Sequence, residues 1–368
     1  MRYRPTVAVI DLDAVRHNVR VLSREGSAYM AVVKANGYGH GAVPIARAAL
    51  DAGAEWLGVA LVEEGIALRD AGITAPVLVL TEFPRGSEKE ALAADLTPVL
   101  YTEEGIEGLA EAAETLGRRA RVHVKVDTGM HRVGLLPDLA VGFLERAAER
   151  GLDIEGILTH FAKSEAPDDP ATRQQLATFG KLLTTLSARG SRPPICHAAN
   201  TAASMVIPES RLDLIRIGIG TYGIAPDPSL AGFADLRPVM SFRSRVSLVK
   251  RVERGHAVSY GFTYRLSRDA TIATVPVGYA DGFARSLSNR ARVLIRGQRY
   301  PVVGTVTMDQ LLVDCGDDPV EAGDEVVLWG RQDDEEILAE DVAAWWGTTG
   351  YEVVCAVSER VPREYLHG

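Results

Sequence analysis

Lys34 closes an apolar run, Ala28-Tyr29-Met30-Ala31-Val32-Val33, and opens into Ala35-Asn36-Gly37-Tyr38-Gly39-His40-Gly41. An amine carried out of an apolar strand can add to a carbonyl as a Schiff base. A glycine-rich turn beside it lets backbone approach a ligand closely. Read alone, the lysine could equally snorkel its charge to solvent along its aliphatic stem. Further along, other apolar runs end in polar residues: Lys125 and Asp127, His160, His197 and Asn200, and Arg216. Polar groups converging in an apolar setting are costly unless paired. Their recurrence at the same point of successive runs therefore marks a site rather than packing.

The elements that would position these residues follow from the rhythm of the chain. Short β-branched runs alternate with Ala/Leu/Glu/Arg-rich stretches of helical spacing. The strands are expected at 28–34, 56–60, 77–80, 98–101, 122–126, 154–158, 195–197 and 214–217. Eight strand–helix units imply a (β/α)8 TIM-type barrel, whose chemistry sits at the C-terminal ends of its strands. All the polar residues named above fall at those ends. An earlier strand, Thr6–Ile10, is expected to pair outside the barrel.

The rhythm changes near Pro226–Pro238, and alternating apolar and polar runs with glycine turns follow, at 241–251, 271–277, 291–295, 298–303, 310–313 and 325–328. Only Ile337–Trp346 has helical spacing there. The fold class is thus α/β plus β: a barrel over residues 11–230, then a mainly β C-terminal domain over 231–368, with residues 1–10 pairing into it.

Bulk properties narrow the function. The 368 residues carry a formal net charge of -9, which argues against a nucleic-acid partner. No apolar run approaches the roughly 20 residues that span a bilayer, and Met1–Pro5 opens no signal-peptide pattern. Cys196, Cys315 and Cys355 form neither a zinc spacing nor a disulfide framework. A cytoplasmic protein without metal or membrane partner is expected.

The string Ala31 to Gly41 resembles the cofactor-lysine signature of bacterial alanine racemases. The resemblance covers nearly the whole chain. It runs through Val124-Lys125-Val126-Asp127-Thr128-Gly129-Met130-His131-Arg132, Thr159-His160-Phe161, His197-Ala198-Ala199-Asn200 and Arg216-Ile217-Gly218-Ile219-Gly220-Thr221-Tyr222-Gly223. It continues through Val258-Ser259-Tyr260-Gly261, Val277-Gly278-Tyr279-Ala280-Asp281-Gly282, Met308-Asp309-Gln310 and Arg360-Val361-Pro362-Arg363.

The resemblance implies a homodimeric racemase that interconverts L- and D-alanine for peptidoglycan, using pyridoxal 5'-phosphate held by Lys34. Removing a proton from one face of Cα and returning it to the other requires two bases, and the second would be Tyr260. An isolated phenol is a poor base at neutral pH, so cations must surround it. Arg216 would meet the pyridine nitrogen, a partner type known for this cofactor, and His160 would link Arg216 towards Tyr260. Tyr38, Asn200, Thr201, Gly218, Ile219 and Tyr351 would complete the cofactor site, with Thr201 near a helix N-terminus that favours an anion. Arg132, Tyr279, Met308 and Asp309 would contact substrate. Lys125 matches a lysine that many relatives carbamylate, which would replace its repulsion of Arg132 by a charge-assisted pair. The sites would be shared between the two subunits.

Rival readings fare worse. Decarboxylases of this architecture tend to place an acid at the pyridine nitrogen. Non-catalytic carriers on the same barrel lack the β domain and a second base. A racemase for larger amino acids is disfavoured by bulky Tyr279, Met308 and Tyr351. Thr305 and Thr307 depart from the Arg and Cys that many relatives carry there, which bears on the entry to the site.

Overall fold

The computed structural model describes residues 4–368, so Met1–Tyr3 of the expected N-terminal pairing segment lie outside the described residues. The chain divides into two compact units. One takes Val15–Gly37 and Ala42–Leu236; the other takes the N-terminal stretch to Ala14, Tyr38–Gly41 and Arg237–Gly368.

After an N-terminal strand β1 (Val7–Asp11) and a helix (Leu12–Leu22), eight parallel strands follow. They are β2 (Ala28–Val32), β3 (Trp56–Val59), β4 (Val77–Val79), β5 (Thr97–Leu100), β6 (Arg121–Lys125), β7 (Asp153–Leu158), β8 (Ile195–His197) and β9 (Leu214–Ile217). Their order is β8-β7-β6-β5-β4-β3-β2-β9. The two ends of that order meet: the Asp213 N–H donates to the Cys196 carbonyl and the Arg216 N–H to the Ala199 carbonyl. The result is a nearly closed barrel. Strands buried on both faces read as continuous apolar runs, and β2 to β5 do so. Met30, Trp56, Leu78, Val99, Leu158 and Leu214 fill the interior.

Local signals explain the helices. Helix Glu103–Leu116 starts where the Thr102 hydroxyl accepts from the Gly105 N–H and stops at left-handed Gly117. Helix Pro170–Ala188 has Asp169 as its cap and proline at its first turn. The last barrel strand differs from the expected rhythm. Short 3-10 turns, Ile219–Tyr222 and Pro228–Leu230, follow it in place of a long helix. Gly218, Gly220 and Gly223 make that stretch a poor helix former.

The second unit is built on β10 (Met240–Arg245), β11 (Leu248–Val252), β12 (Ala257–Val258), β13 (Tyr264–Arg265), β14 (Ala270–Val275), β15 (Arg292–Ile295), β16 (Gln298–Val303), β17 (Leu311–Asp314), β18 (Glu325–Gln332), β19 (Glu335–Ile337) and β20 (Arg363–Leu366). The main order is β11-β14-β17-β16-β15-β18-β10-β1-β20. β1 lies in this sheet, antiparallel to β10 and parallel to β20. The run expected as one strand at 241–251 is two. At Val246 and Ser247 the chain leaves the edge of β18 and pairs with β14. The alternation of apolar residues continues through this corner, which hides it from a periodicity reading. Helix Gly350–Cys355 and strand β20 were also not expected; each is too short to show a period. Among the described residues, no helix is long and apolar enough to cross a membrane.

Truncating Met30, fully buried at the barrel centre, to alanine should leave a cavity and cost about 2–5 kcal/mol. A drop in the urea midpoint of the barrel transition measures this; an unchanged midpoint would mean that the interior is not packed around Met30.

Candidate active site

Lys34 follows β2 and stands half-buried at the barrel mouth. The four residues after it, Ala35 to Tyr38, all take φ near +50° to +62°. A left-handed turn of this kind costs non-glycine residues roughly 1–2 kcal/mol each. Fixed hydrogen bonds hold it. The Glu64 carboxylate accepts from the Ala35 N–H at 2.6 Å, the Gly37 N–H donates to the Val33 carbonyl at 2.8 Å, and the Asn36 side chain accepts from the Ala42 N–H. Glu64 also takes the Ala60 and Leu61 N–H groups at the end of β3. One carboxylate thus clamps the ends of two adjacent strands and fixes where Lys34 leaves the barrel. Within the other unit, Gly41 takes φ +100°, and a Cβ there would lie 2.0 Å from the Tyr365 hydroxyl, so a larger residue would force Tyr365 aside.

Arg216 is 4% exposed, on β9. Its Nη1 donates to His197 Nδ1 at 3.1 Å. Its Nη2 serves the Thr159 and Ala198 carbonyls at 2.8 and 3.0 Å, and His160 Nδ1 at 3.1 Å. All four bonds leave from the Nη groups. Nε–H, which makes none among the described residues, remains as a donor. Arginine has no acceptor, so His160 must offer a lone pair at Nδ1 and carry its proton on Nε2. Burial, together with the charges of Arg216, Lys125, Arg132 and Lys34, pushes His160 well below its ordinary pKa, which keeps it neutral for this role.

Lys125 ends β6 and is 7% exposed. Burial first, then Arg216, Arg132 and Lys34, lowers its pKa to about 8, with Asp127 opposing. A small cleft open to solvent is lined by Lys125, Asp127, Met130, Arg132 and His160 among others. The loop carrying exposed Arg132 is shaped by Asp127, whose carboxylate accepts from the Gly129, Met130 and His131 N–H groups. Buried Gln175, from the helix after β7, ties this loop to the next. It donates to the His160 carbonyl at 3.0 Å and accepts from the Ala162 N–H.

At the other side of the mouth, Asn200 caps helix Thr201–Val206 by accepting from the Ala203 N–H, and Thr201 is the first helical residue. The Thr201 hydroxyl accepts from the Gly218 N–H at 3.1 Å, and Ile219 opens the neighbouring 3-10 turn. Two short helical starts thus lie side by side. Sequence reasoning found these residues but missed Glu64 and Gln175. Both are polar residues within helices that read as solvated faces.

The remaining candidates lie in the second unit. Tyr38 and Tyr351 approach with ring centroids 6.2 Å apart. Tyr260, on a 3-10 turn between β12 and β13, is 74% exposed; Phe262 is 71% and Met308 51% exposed. The backbone under Tyr260 is fixed: the Thr305 hydroxyl donates to the Tyr260 carbonyl at 2.8 Å and Ser259 donates to the Thr305 carbonyl at 2.6 Å. The Tyr279 and Ala280 N–H groups bond to the Thr307 and Met308 carbonyls, which holds Tyr279 beside Met308. Asp309 accepts from Arg360 at 2.7 Å. Among the described residues no cluster of His, Cys, Asp and Glu could hold a metal ion.

Known proteins resemble this chain along its length. The family model described as "Alanine racemase, N-terminal domain" matches residues 10–226, and "Alanine racemase, C-terminal domain" matches residues 239–365. An alanine racemase of Symbiobacterium thermophilum is 52% identical, over 98% of this chain and 97% of its own. One of Desulfovibrio desulfuricans is 44% identical, over 99% and 98%. The crystal structure of alanine racemase from D-cycloserine producing Streptomyces lavendulae has a TM-score of 0.96 at 41% identity, covering 100% of this chain and 98% of that one. That of alanine racemase from Bacillus anthracis with bound L-Ala-P has a TM-score of 0.92 at 36% identity, covering 100% and 96%.

Lys125 makes stability depend on pH. Below about 8 both folded and unfolded chains hold its proton, and the folded state bears the full cost of a buried cation. Between about 8 and the ordinary value of 10.5 the unfolded chain holds a proton that the folded one has lost, so stability rises with pH. In CO2-free buffer Lys125→Met should stabilise the protein at pH 7, by on the order of 2–3 kcal/mol, and flatten that rise. Denaturation midpoints across pH 7–10.5 with parallel slopes in both proteins would exclude this.

Proposed function

Because the chain belongs to the alanine racemase family, both of whose domain models it matches, we propose that it interconverts L- and D-alanine with pyridoxal 5'-phosphate, supplying D-alanine for peptidoglycan. The observation that carries the reading is the buried guanidinium of Arg216 at the mouth that Lys34 also borders.

The residues present fit this cofactor. A ring nitrogen needs a donor, and Arg216 has its Nε–H uncommitted. A carbonyl needs an amine, and Lys34 supplies one. A phosphate suits the paired helical starts at Thr201 and Gly218-Ile219, to which we add Asn200, Tyr38 and Tyr351 on the family resemblance. When bound, pyridoxal phosphate supplies the electron sink that lets an amino acid lose its Cα proton.

The chain's own residues do the rest. Burial lowers Arg216 to about 10, still a cation at neutral pH. It would therefore donate a hydrogen bond to the ring nitrogen without giving up its proton, which would keep the sink weak. Lys34 takes or returns the Cα proton on one face. Tyr260 does so on the other. Arg132 binds the substrate carboxylate. Bulky Tyr279 and Met308, with Asp309, restrict the side chain to a methyl group.

Lys125 takes its place beside Arg132 as a carbamate. Its neutral amine adds CO2: an N–C bond forms, a proton leaves, and the anion accepts from Arg132. A cation pressed by Arg216, Arg132 and Lys34 has reason to become an anion. The three cysteines, free thiols all, suit the reducing cytoplasm in which we place the enzyme.

We propose further that two copies pair so that Lys34 of one and Tyr260 of the other complete each site. Tyr260, Phe262 and Met308 are each exposed on the β unit, and exposed apolar surface is the kind that interaction sites use. Mixing inactive Lys34→Ala with inactive Tyr260→Phe subunits should then restore activity, since a mixed pair holds one intact site. No recovery after verified exchange would sink the shared site.

The two-base reading is tested by proton exchange. Tyr260→Phe should reduce racemisation in both directions by about 10²–10⁴-fold. Wash-out of the Cα proton into D2O, followed by proton NMR, should persist for D-alanine through Lys34 and nearly vanish for L-alanine. Equal loss for both enantiomers would remove Tyr260 from its role. Failure of the parent protein, supplied with pyridoxal phosphate, to racemise L-alanine would overturn the function itself.

A further inference from the structure

Behind Arg216 a line of polar groups runs through the barrel interior. His197 Nδ1 accepts from Arg216; His197 Nε2 lies 2.8 Å from His123 Nδ1; His123 Nε2 lies 3.4 Å from the Glu155 carboxylate. Both imidazoles are fully buried. The direction of this line is forced. Arginine can only donate, so His197 Nδ1 is a lone pair and its proton sits on Nε2. That proton must go to His123 Nδ1, so the His123 proton sits on Nε2 and points at Glu155. His123 Nε2 and Glu155 Oε2 are both buried without a hydrogen-bond partner among the described residues, and they face each other at ion-pair distance, 3.4 Å. The forced direction leaves His123 Nε2 a donor, and the Glu155 carboxylate is the acceptor that stands before it.

The backbone is shaped to allow it. The pairing of β6 with β7 slips by one residue, so that Val122 faces Ile154 but His123 faces Gly156, and Glu155 is the extra residue of the bulge. Bulges re-aim side chains, and this one lets Glu155 turn to His123. Gly156 has to be glycine, since a Cβ there would fall 2.4 Å from His123 Nδ1. The Trp56 ring packs on His123 at 5.5 Å. Arg121 braces the far oxygen of Glu155 at 3.6 Å. Burial, reinforced for His197 by the charge of Arg216, depresses both histidines, so the line stays neutral between the guanidinium and the carboxylate.

We propose that Glu155 is a positioning residue for the reaction at the barrel mouth: through His123 and His197 it fixes the place and donor direction of the Arg216 guanidinium. The inference rests on the assignment of Arg216 to the cofactor ring. Without Glu155 the buried His123 Nε2–H loses its acceptor. His123 can then move its proton to Nδ1, which turns a donor against His197 and in turn against Arg216.

The test uses the full chain labelled with 15N-histidine. Long-range proton–nitrogen correlation without cofactor should show His123 and His197 as neutral Nε2–H tautomers from pH 6 to 9. In Glu155→Leu the His123 pattern should shift to mixed tautomers. With cofactor, kcat should fall about 10-fold, the scale seen when partners behind a site are removed, while KM for alanine stays within about twofold. Glu155→Gln keeps an accepting oxygen and should recover most of the loss. Gly156→Ala leaves Glu155 in place but displaces the His123 ring, and should reproduce the Leu phenotype even if Glu155→Leu folds poorly. An Nδ1–H tautomer at His123 in the parent protein would overturn the proposal. So would equal impairment of the Gln and Leu variants, or a lowered melting temperature with kcat unchanged. A parent chain with the expected tautomers but no racemase activity would leave the relay standing and remove the functional reading.

Discussion

A guanidinium buried in an apolar barrel has to be satisfied by neutral acceptors, and much of this mouth is arranged around that demand. Arg216 meets no carboxylate directly. Its partners are two main-chain carbonyls, from Thr159 and Ala198, and two histidine nitrogens. Those carbonyls end β7 and β8, so satisfying the arginine also sets the geometry of the barrel seam. Both histidines have to stay neutral to accept, and burial beside a cation keeps them so. A lysine in place of Arg216 would offer three donors from one nitrogen and could not reach such divergent acceptors.

The same mouth gathers Lys34, Lys125 and Arg132 around Arg216, and the Asp127 carboxylate that opposes them is already occupied by three backbone N–H groups. Such an excess of positive charge in a partly buried space is a trap for anions. A phosphate, a substrate carboxylate and a carbamate on Lys125 would each relieve it. The overall charge of -9 hides this local field.

Much of this was legible in the sequence. Apolar runs ending in polar residues gave the barrel and its mouth, because parallel strands buried on both faces cannot be mistaken for solvated ones. Lys34, Lys125, His160 and Arg216 followed from their places at strand ends. Glu155, Glu64 and Gln175 did not, since their roles depend on partners far away in sequence. His123 left a trace: in Arg121-Val122-His123-Val124-Lys125 the polar residues share one face of the strand. That face is the barrel interior, and a polar row there needs partners. The bulge that brings Glu155 into line has no sequence signature beyond Gly156. Strand β20 and helix Gly350–Cys355 were too short for periodicity to register.

In the proposed mechanism the arginine and the two bases would be consequences of one another. A proton-donating acid at the ring nitrogen would make a strong electron sink and a long-lived carbanion, free to be protonated at the wrong atom. Arg216, placed at the ring nitrogen as proposed, would hold its proton and give a weak sink, which would limit that diversion. A weak sink in turn leaves little time for a proton to arrive from solvent, so a donor has to stand ready on each face of Cα. The proposed bases would meet that requirement with a lysine fixed by a left-handed turn and a tyrosine on a clamped turn. Both clamps, Glu64 under Lys34 and Thr305 under Tyr260, hold backbone rather than side chain. The side chains keep the small freedom needed to follow a proton while their anchor points stay put.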